Sequence, residues 1–339
     1  MAEIICVGEA LVDFISTQRG TSLEEAPGFL KMPGGAPANL AVGLARLGER
    51  PRFIGKVGDD PFGRFLRQVL ENNRVNTEGL LVETRARTGL AFVSLSPSGE
   101  RDFVFYRHPA ADMLLAPEEI SLSWLEKAGA ICFGSLSLST EPSRSAIYRL
   151  LEAGRARGLV LAVDVNLRLG VWPSPEVARR EIWEALAPVD LVKLNAPELA
   201  FLTGEGDVGQ GARRLLASGA SLVVVTLGEA GAFYVTPGGE GRVPGYRVEV
   251  VDTTGAGDAF MAGLMAGLAG LAGEGARGWL ERLTALPREE FRTILAMANA
   301  AGALCVTRPG AMTSLPTRDQ LVDFLHRAAR SIDGRGGID

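Results

Sequence analysis

The alternation of strand-like and helix-like segments is the feature that most constrains how this 339-residue chain can fold. Short apolar runs, several of them apolar on both faces, predict strands at 4–8, 52–57, 130–134, 159–165, 190–194 and 221–227. Helical spacing of apolar residues predicts helices at 37–47, 61–73, 142–157, 175–186, 196–203 and 208–218. Strands and helices that alternate at this spacing are typical of βαβ units. We therefore expect an α/β fold with a mostly parallel, doubly wound sheet flanked by helices.

The last third of the chain is helical in pattern, with helices predicted at 258–273, 288–305 and 317–330. Residues 259–273 are uniformly apolar and resemble a membrane span, but the run is shorter than the about 20 residues that a bilayer-spanning helix needs. We interpret it as a buried helix whose Gly and Ala residues allow close packing against the sheet. No membrane partner is expected.

A second, smaller sheet is predicted from segments that interrupt the alternation. Residues 89–95 and 101–107 flank the turn-forming sequence Ser96-Pro97-Ser98-Gly99-Glu100 and predict an antiparallel hairpin, and 11–16 and 29–33 predict two further strands. Because these strands are apolar on both faces, we expect one face to cover a ligand cleft and the other to meet a partner subunit in a homodimer. The predicted organisation is a large domain at 1–10, 34–87 and 112–330, a small discontinuous β-sheet lid at 11–33 and 88–111, and a flexible tail at 331–339.

Charge and cysteine usage argue against several classes of protein. The chain has 35 Lys and Arg against 40 Asp and Glu, a formal net charge of −5, so a basic surface for nucleic acid or for an anionic membrane is not expected. Cys6, Cys132 and Cys305 lie far apart in apolar stretches, and with two His residues a His/Cys metal site is not expected. The N-terminus lacks the charged region of a signal peptide. We therefore predict a cytoplasmic protein with buried, reduced thiols.

The most informative motif for function is Asp252-Thr253-Thr254-Gly255-Ala256-Gly257-Asp258, which opens directly into the apolar helix. Small residues before a helix let backbone N–H groups converge, and the unsatisfied amides of the first turn favour an anion there. The positive field at the same helix start favours an ionised Asp258. A base beside an anion site suits phosphoryl transfer to an alcohol, because the amides hold the migrating charge while the carboxylate accepts the hydroxyl proton.

The second motif is Gly34-Gly35-Ala36-Pro37-Ala38-Asn39. Two glycines before a helix that begins with Pro permit close approach of a ligand to the backbone. Asn39 offers both a donor and an acceptor to a polyol. Taken alone, this sequence is equally well a simple turn and helix start, so its interpretation depends on the first motif.

In this order, the two motifs resemble those of the ribokinase-like (PfkB) sugar kinases. Three further stretches, at 8–14, 105–115 and 164–168, look like the fructokinase branch of that family. The similarity extends from about residue 4 to residue 326. It implies a ribokinase-like fold and an ATP-dependent sugar kinase, with fructose as the expected acceptor and fructose 6-phosphate as the product.

The resemblance also implies roles for individual residues. Asp258 matches the catalytic base, and the amides of Gly255, Ala256 and Gly257 match the anion hole. The positions that match sugar-binding residues are Asp13, Gly34, Gly35, Asn39, Arg107 and Arg168. The positions that match ATP-binding residues are Asn195, Thr226, Gly228, Gly231, Gly257 and Asn299.

Two kinds of cation are implied by the same resemblance. Asn195 and Glu198 look like the N-x-x-E element that organises Mg²⁺ and phosphates, largely through water, and Mg²⁺ retains its water readily. In other proteins the same two residues would be a helix cap and a first-turn acid. A monovalent-cation loop, for K⁺ and mostly through backbone carbonyls, is matched by Asp252, Thr254, Cys305, Arg308, Gly310 and Ser314.

Other functions have less support in the sequence. No G-x-x-x-x-G-K-[ST] motif occurs, which argues against a P-loop ATPase, and the glycines at 255 and 257 lack the third glycine of a dinucleotide-binding motif. A catalytically silent sugar- or nucleotide-binding regulator is the alternative from another class, although it would be expected to lack Asp258. Among kinases, ribose, 2-keto-3-deoxygluconate and nucleosides stay open as acceptors, while the 105–115 stretch favours fructose.

Overall fold

The computed structural model describes residues 2–18, 20–95, 101–272 and 279–333. The strands are β1 (Glu3–Val7), β2 (Leu11–Ser16), β3 (Phe29–Gly34), β4 (Pro51–Gly58), β5 (Asn76–Glu83), β6 (Leu90–Leu95), β7 (Arg101–Tyr106), β8 (Ala128–Gly134), β9 (Val160–Asp164), β10 (Leu191–Asn195), β11 (Leu222–Thr226), β12 (Ala232–Thr236) and β13 (Gly239–Val243). The helices are α1 (Ala36–Arg46), α2 (Pro61–Asn72), α3 (Ser143–Arg155), α4 (Pro175–Leu186), α5 (Ala196–Thr203), α6 (Val208–Ala217), α7 (Ala256–Ala272), α8 (Trp279–Ala285), α9 (Arg288–Cys305) and α10 (Arg318–Asp333).

A nine-stranded sheet organises the larger part of the molecule, in the order β13-β12-β11-β10-β9-β8-β1-β4-β5. The strands from β11 to β5 are parallel, and β12 and β13 extend one edge in antiparallel fashion. Alternate residues of β1 enter different cores: Ile4 packs in the core that contains α1, α7 and α9, and Ile5 in the core that contains α3 to α6. Helices therefore cover both faces, which confirms the predicted doubly wound α/β architecture.

The predicted strands and helices are present with small shifts at their ends, and four further elements were missed. Strands β5 and β13 have mixed or exposed patterns at the two edges of the sheet, and α8 is short. The first four residues of β12 are buried. The strand was not predicted because no α-helix separates it from β11, so it does not fit the alternation of strands and helices. The three additional strands widen the sheet, and the predicted α/β fold class is unchanged.

Residues 259–272 of the apolar segment lie in α7, and their packing differs from the prediction. A side chain on Gly263 would place its Cβ 2.9 Å from Cα of Ala298 in α9, and one on Gly43 of α1 would lie 2.7 Å from Cβ of Ala262. The small residues therefore permit close contact with neighbouring helices, and not chiefly with the sheet. None of the helices in the described ranges is long and apolar enough to cross a bilayer.

The second sheet has four strands in the order β3-β2-β6-β7. Its hairpin strands β6 and β7 are antiparallel as predicted, and the turn at 96–100 lies outside the described residues. Leu11 and Ala91 on its inner face pack against Leu136 of the larger part, whereas Phe14 and Phe92 stack on its outer face with ring centroids 5.1 Å apart.

At the C-terminus, α10 continues to Asp333, so helix occupies the first three residues of the predicted flexible tail. Residues 334–339 lie outside the described residues. The two-part division of the chain stays a prediction.

Candidate active site

The start of α7 brings the first sequence motif to the centre of the site. Gly255 has a φ of 78°, and a Cβ there would lie 2.9 Å from Cα of Ala311, so both the backbone conformation and the space require glycine. Helix α7 begins at the next residue, so the amides of its first turn have no carbonyl partners in a preceding turn of helix, although the amide of Ala256 donates to the carbonyl oxygen of Thr253 at 3.4 Å. The motif therefore forms the amide-rich helix start that the sequence predicts.

Asp258 lies in the first turn of α7, and its side chain is buried. Nδ2 of Asn39, from the start of α1, donates a hydrogen bond of 2.7 Å to Oδ2 of Asp258. Burial, and then the negative charge of Asp164, raise the pKa of Asp258 to about 6, against the opposing effects of the Asn39 hydrogen bond, Lys193 and Arg168. The carboxylate is thus ionised at neutral pH and has a proton affinity suited to a general base.

Two cavities meet at this helix start. The larger has a volume of about 570 Å³ and is lined in part by Ala256 and Gly257. Five of the six residues predicted to bind ATP line this cavity: Thr226, Gly228, Gly231, Gly257 and Asn299. A much smaller cavity, of about 10 Å³, is lined by Asp258 of the first motif, by Ala36 and Pro37 of the second, and by Asp164 at the end of β9. Gly257 and Asp258 are adjacent in sequence but face different cavities.

Asn299 has a second structural role beside the larger cavity. Its Nδ2 donates to the carbonyl oxygens of Val243 (3.2 Å) and Pro244 (3.1 Å). The following residues, Gly245 and Tyr246, line the same cavity. Asn299 therefore holds one wall of the cavity in place, and its contact with ATP stays a prediction.

A buried ion pair lies directly behind the helix start, and the sequence analysis missed it. Nζ of Lys193, in β10, is 2.7 Å from Oδ2 of Asp164, at the end of the adjacent strand β9. A Cβ on Gly257 would lie 2.9 Å from the same Nζ. Charged residues at the ends of otherwise apolar strands were the available signal, because ligands of parallel α/β sheets bind at the carboxyl ends of strands.

The predicted sugar residues Asp13, Gly34 and Gly35 lie together where the small sheet joins α1. The carboxylate of Asp13 occupies the space beside Gly34, where a Cβ would be 2.2 Å from Oδ2. Gly35 has a φ of 100°, and a Cβ there would lie 2.4 Å from the carbonyl oxygen of Glu9. Both glycines are therefore required by close approach, and their contact with a sugar stays a prediction.

The two predicted arginines have different surroundings. Arg107 is buried in an ion pair with Asp112, and its Nε lies 2.9 Å from Oδ2 of that residue. Arg168 is half-buried, with its guanidinium carbon 5.3 Å from the ring centroid of Phe103 in β7. It therefore connects the larger part of the molecule to the small sheet, and its charge acts on Asp258. Direct contact of either arginine with a ligand stays a prediction.

Comparison with known proteins shows the family to which the chain belongs. The model of the pfkB family of carbohydrate kinases matches residues 1–318. This chain belongs to the pfkB family. The probable chloroplastic fructokinase-6 of Arabidopsis thaliana is 45% identical over 328 residues, which cover 96% of this chain and 83% of that protein.

Solved structures of similar proteins extend the comparison. The structure of the fructokinase of Xylella fastidiosa with bound ATP has a TM-score of 0.87 at 33% identity and covers 96% of this chain and 99% of that one. A double-mutant fructokinase of Vibrio cholerae O395, in a form with fructose, ADP and potassium ion bound, has a TM-score of 0.84 at 36% identity and covers 96% and 98%. The ribokinase-like α/β fold is thereby confirmed for this pfkB family member.

The residues that the pfkB motif N-x-x-E assigns to Mg²⁺ form a capping box at the start of α5. Oδ1 of Asn195 accepts from the amide of Glu198 (2.8 Å), and Oε2 of Glu198 accepts from the amide of Asn195 (2.9 Å). Oε1 of Glu198 also accepts from the amide of Leu167 (2.8 Å). No cluster of three or more His, Cys, Asp or Glu within the described ranges could enclose a metal. This donor set fits a Mg²⁺ ion held mainly by phosphate oxygens and water, with Glu198 as an outer partner.

The predicted monovalent-cation loop is brought together by hydrogen bonds within the pfkB chain. Asp252 accepts from Oγ1 of Thr254 (2.6 Å) and from the amide of Gly310 (2.8 Å), and Sγ of Cys305 lies 3.0 Å from Oγ of Ser314. The amide of the remaining residue, Arg308, donates to the carbonyl of Cys305. These contacts place the loop next to Gly255, and cation binding stays a prediction.

Glu9 lies within the 8–14 stretch, and the sequence analysis assigned no role to it. Its Oε1 accepts from the amide of Ala36 at the start of α1 (3.1 Å), and its side chain is buried. Burial raises the pKa of Glu9 to about 7, and Asp112 adds to this effect while Arg107 opposes it. Glu9 thus connects the turn at Gly35 with the Arg107–Asp112 ion pair.

Proposed function

We propose that this chain is a fructokinase, which transfers the γ-phosphoryl group of ATP to the primary hydroxyl of fructose and releases fructose 6-phosphate and ADP. The observation that carries the proposal is that two adjacent residues at the start of α7 face different cavities. Gly257 lines the larger cavity, which accommodates a nucleotide, and its neighbour Asp258 faces the smaller one. An anion site and a base are thus joined in one helical turn. The names of the similar fructokinases support the choice of sugar.

In the proposed reaction, the sugar binds first, against Asp13, Gly35 and Asn39. Closure of the small sheet as a lid then excludes water and disfavours hydrolysis of ATP. Asp258 accepts the proton of the primary hydroxyl while the hydroxyl oxygen forms a bond to the γ-phosphorus and the bond to ADP breaks. The amides at 255–258 stabilise the charge on the transferring group.

Mg²⁺ bound with ATP would neutralise phosphate charge during transfer, and Glu198 would hold it through water. Asn195 and Arg168 would orient the phosphates and the sugar. We also propose a K⁺ site on the loop that contains Asp252 and Gly310, beside the anion site. Activity that does not respond to added KCl would contradict the K⁺ site without affecting the other assignments.

We further propose a homodimer formed through the outer face of the lid and a location in the cytoplasm. Tyr106 and Val104 on that face are 64% and 41% exposed, and both lie beside Phe92, so they form an exposed apolar patch and are not isolated apolar residues. The three cysteines are buried and form no disulfide among the described residues, which suits a reducing compartment. Light scattering at micromolar concentration tests the dimer.

A panel of acceptors tests the proposed function. The purified chain is assayed for ADP release with Mg·ATP and fructose, ribose, 2-keto-3-deoxygluconate, tagatose or adenosine, with and without K⁺. Fructose is expected to give the highest kcat/KM, and the product should co-elute with fructose 6-phosphate. A higher kcat/KM with another acceptor would overturn the choice of fructose. Sugar binding without turnover of any acceptor would favour a silent regulator.

A further inference from the structure

We propose that the buried Asp164–Lys193 ion pair is a positioning device for Asp258, in which two opposite charges of fixed geometry set the proton affinity of the base and hold it in place behind the anion site. The inference deepens the proposed function and rests on it for its kinetic readout. The family resemblance assigns no function to either residue. Asp164 is only the first residue of the matched stretch 164–168, and Lys193 lies outside the matched stretches.

The pair is built into the rigid part of the sheet. Asp164 is the last residue of β9, and Lys193 is its register partner in the parallel strand β10. Both side chains are buried, with 9% and 6% of their surfaces exposed, so their charges are weakly screened by solvent. Two rigid neighbouring strands thus fix the 2.7 Å contact between them.

Each member of the pair also reaches the site. Asp164 lines the same small cavity as Asp258, and its Oδ1 has no hydrogen-bond partner among the described residues. Nζ of Lys193 approaches the backbone of Gly257 so closely that a Cβ would lie only 2.9 Å away. Gly257 is in a helix, where alanine is ordinarily preferred, and an alanine at this position would require the ammonium group to move.

One hydrogen-bond donor and three charged side chains act on Asp258. Asn39 of α1 donates a hydrogen bond, Asp164 of β9 contributes a negative charge, Lys193 of β10 a positive charge, and Arg168, which follows β9, a second positive charge. Burial alone would lower the pKa of Lys193, but Asp164, Glu198 and Asp258 raise it, so the ammonium stays charged. Asp164 and Lys193 therefore act on Asp258 with opposite sign.

A purely structural role explains this arrangement less well. A buried ion pair commonly contributes less to stability than apolar residues of the same volume, because both charges lose their hydration. A second buried lysine, Lys56, offers a comparison. It lies in β4, next to the edge strand β5, and its Nζ is 2.9 Å from Oε2 of Glu83 and 2.8 Å from Oε1 of Glu119. Lys56 lies in β4, three strands away from β9 in the sheet, so it serves as a matched control.

The experiment compares full-length Lys193→Met, Asp164→Asn, the double variant and Lys56→Met with the wild type. The first readout is ¹³C NMR titration of aspartate carboxyl groups, in which the Asp258 signal is assigned by its loss in Asp258→Asn. The second is the acidic limb of kcat/KM for fructose. Thermal melting identifies any variant that fails to fold, and the double variant, which leaves no unpaired buried charge, then replaces a failed single variant.

We expect the Asp258 titration to move to higher pH in Lys193→Met and to lower pH in Asp164→Asn, by roughly one pH unit each. The double variant should lie between them, and Lys56→Met should match the wild type. Shifts of the same sign in both single variants, or shifts no larger than that of Lys56→Met, would overturn the inference. A double variant outside the range set by the singles would do the same. If the wild type does not phosphorylate fructose, the proposed function fails, while the NMR titration still decides the role of the pair.

Discussion

Nδ2 of Asn39 lies 2.7 Å from Oδ2 of Asp258, although 219 positions separate the two residues. One hydrogen bond thereby joins the second sequence motif to the first, and α1 to α7. Oδ1 of Asn39 is buried and has no partner among the described residues, so the side chain that orients the base keeps one unused hydrogen-bond acceptor. Acceptor binding and proton removal are expected to depend on each other through this residue.

Replacement of Asp258 by Asn or Ala should abolish most turnover. We expect kcat to fall by at least ~10²-fold, the usual contribution of a general base, with a modest change in fructose affinity. A coupled ADP assay and calorimetric titration with fructose measure the two quantities. Asp319→Asn, an exposed aspartate in the first turn of α10, serves as the control and should retain wild-type rates. Near-normal turnover of Asp258→Asn would contradict the mechanism.

The pH dependence of activity should follow the ionisation of Asp258. Since the base must be unprotonated, kcat/KM is expected to decrease as the pH falls through about 6. Asn39→Ala removes a hydrogen bond that favours the carboxylate, so the limb should move to higher pH by roughly one unit, and KM for fructose should rise about tenfold. Asn73→Ala, which removes an amide at the end of α2, is the control. If the acidic limb of the kcat/KM profile of Asn39→Ala lies at the same pH as that of the wild type, the proposed effect of Asn39 on the ionisation of Asp258 is refuted.

Gly257→Ala tests the space beside Lys193. The added Cβ would lie 2.9 Å from Nζ, so the ammonium must move, and we expect kcat to fall about tenfold. Because the position is helical, the melting temperature should change little. Gly270→Ala in the same helix meets no atom within 4 Å and should be slightly stabilising with unchanged activity. Equal kcat values for the two variants would contradict the proposed contact.

Glu9 should make the protein less stable as the pH rises. Its pKa is raised from 4.5 to about 7, so the folded state holds a proton that the unfolded state releases, and the stabilisation present below pH 4.5 is lost as the pH rises through 7. Glu9→Gln should remove roughly 3 kcal/mol of this pH dependence. Urea unfolding at pH 5 and pH 8 measures it, with exposed Glu126→Gln as the control. An identical pH dependence in Glu9→Gln and wild type would exclude the assignment.

Tyr106→Glu should separate the proposed dimer. The ring of Tyr106 contacts Phe92 at 5.2 Å between centroids and is 64% exposed on the outer face of the lid, so a buried charge there would oppose association. Light scattering should show half the wild-type mass. Val322→Glu, at an exposed apolar position on α10, should leave the mass unchanged. A wild-type protein that is already monomeric would remove this proposal.

The sequence predicted the elements whose pattern is local and left out the relationships that depend on sheet order. Helix α4 was predicted at its observed bounds because Ser174 caps it, Pro175 begins it, and its apolar residues keep helical spacing. Strand β13 was missed because most of its residues are exposed at a sheet edge. Edge strands lack the continuous apolar pattern on which the strand predictions relied.

The candidate site shows the same division. Gly255 and Asp258 could be assigned because the backbone conformation, the helix start and the base lie within one short motif. The contact of Asp164 with Lys193 could not, because it arises only once β9 and β10 are neighbours in register. Asn39 was expected to serve the sugar, and its bond to Asp258 depends on how α1 packs against α7.

The placement of Gly257 and Asp258 in different cavities has an evolutionary consequence. The residues around the larger cavity come from position 226 onward, whereas most of those proposed to meet the acceptor come from the first 110 positions. Mutations in the early part of the gene can therefore explore new acceptors while the phosphate donor is retained. The first turn of α7 would then lie between an acceptor site that can vary and a donor site that stays the same.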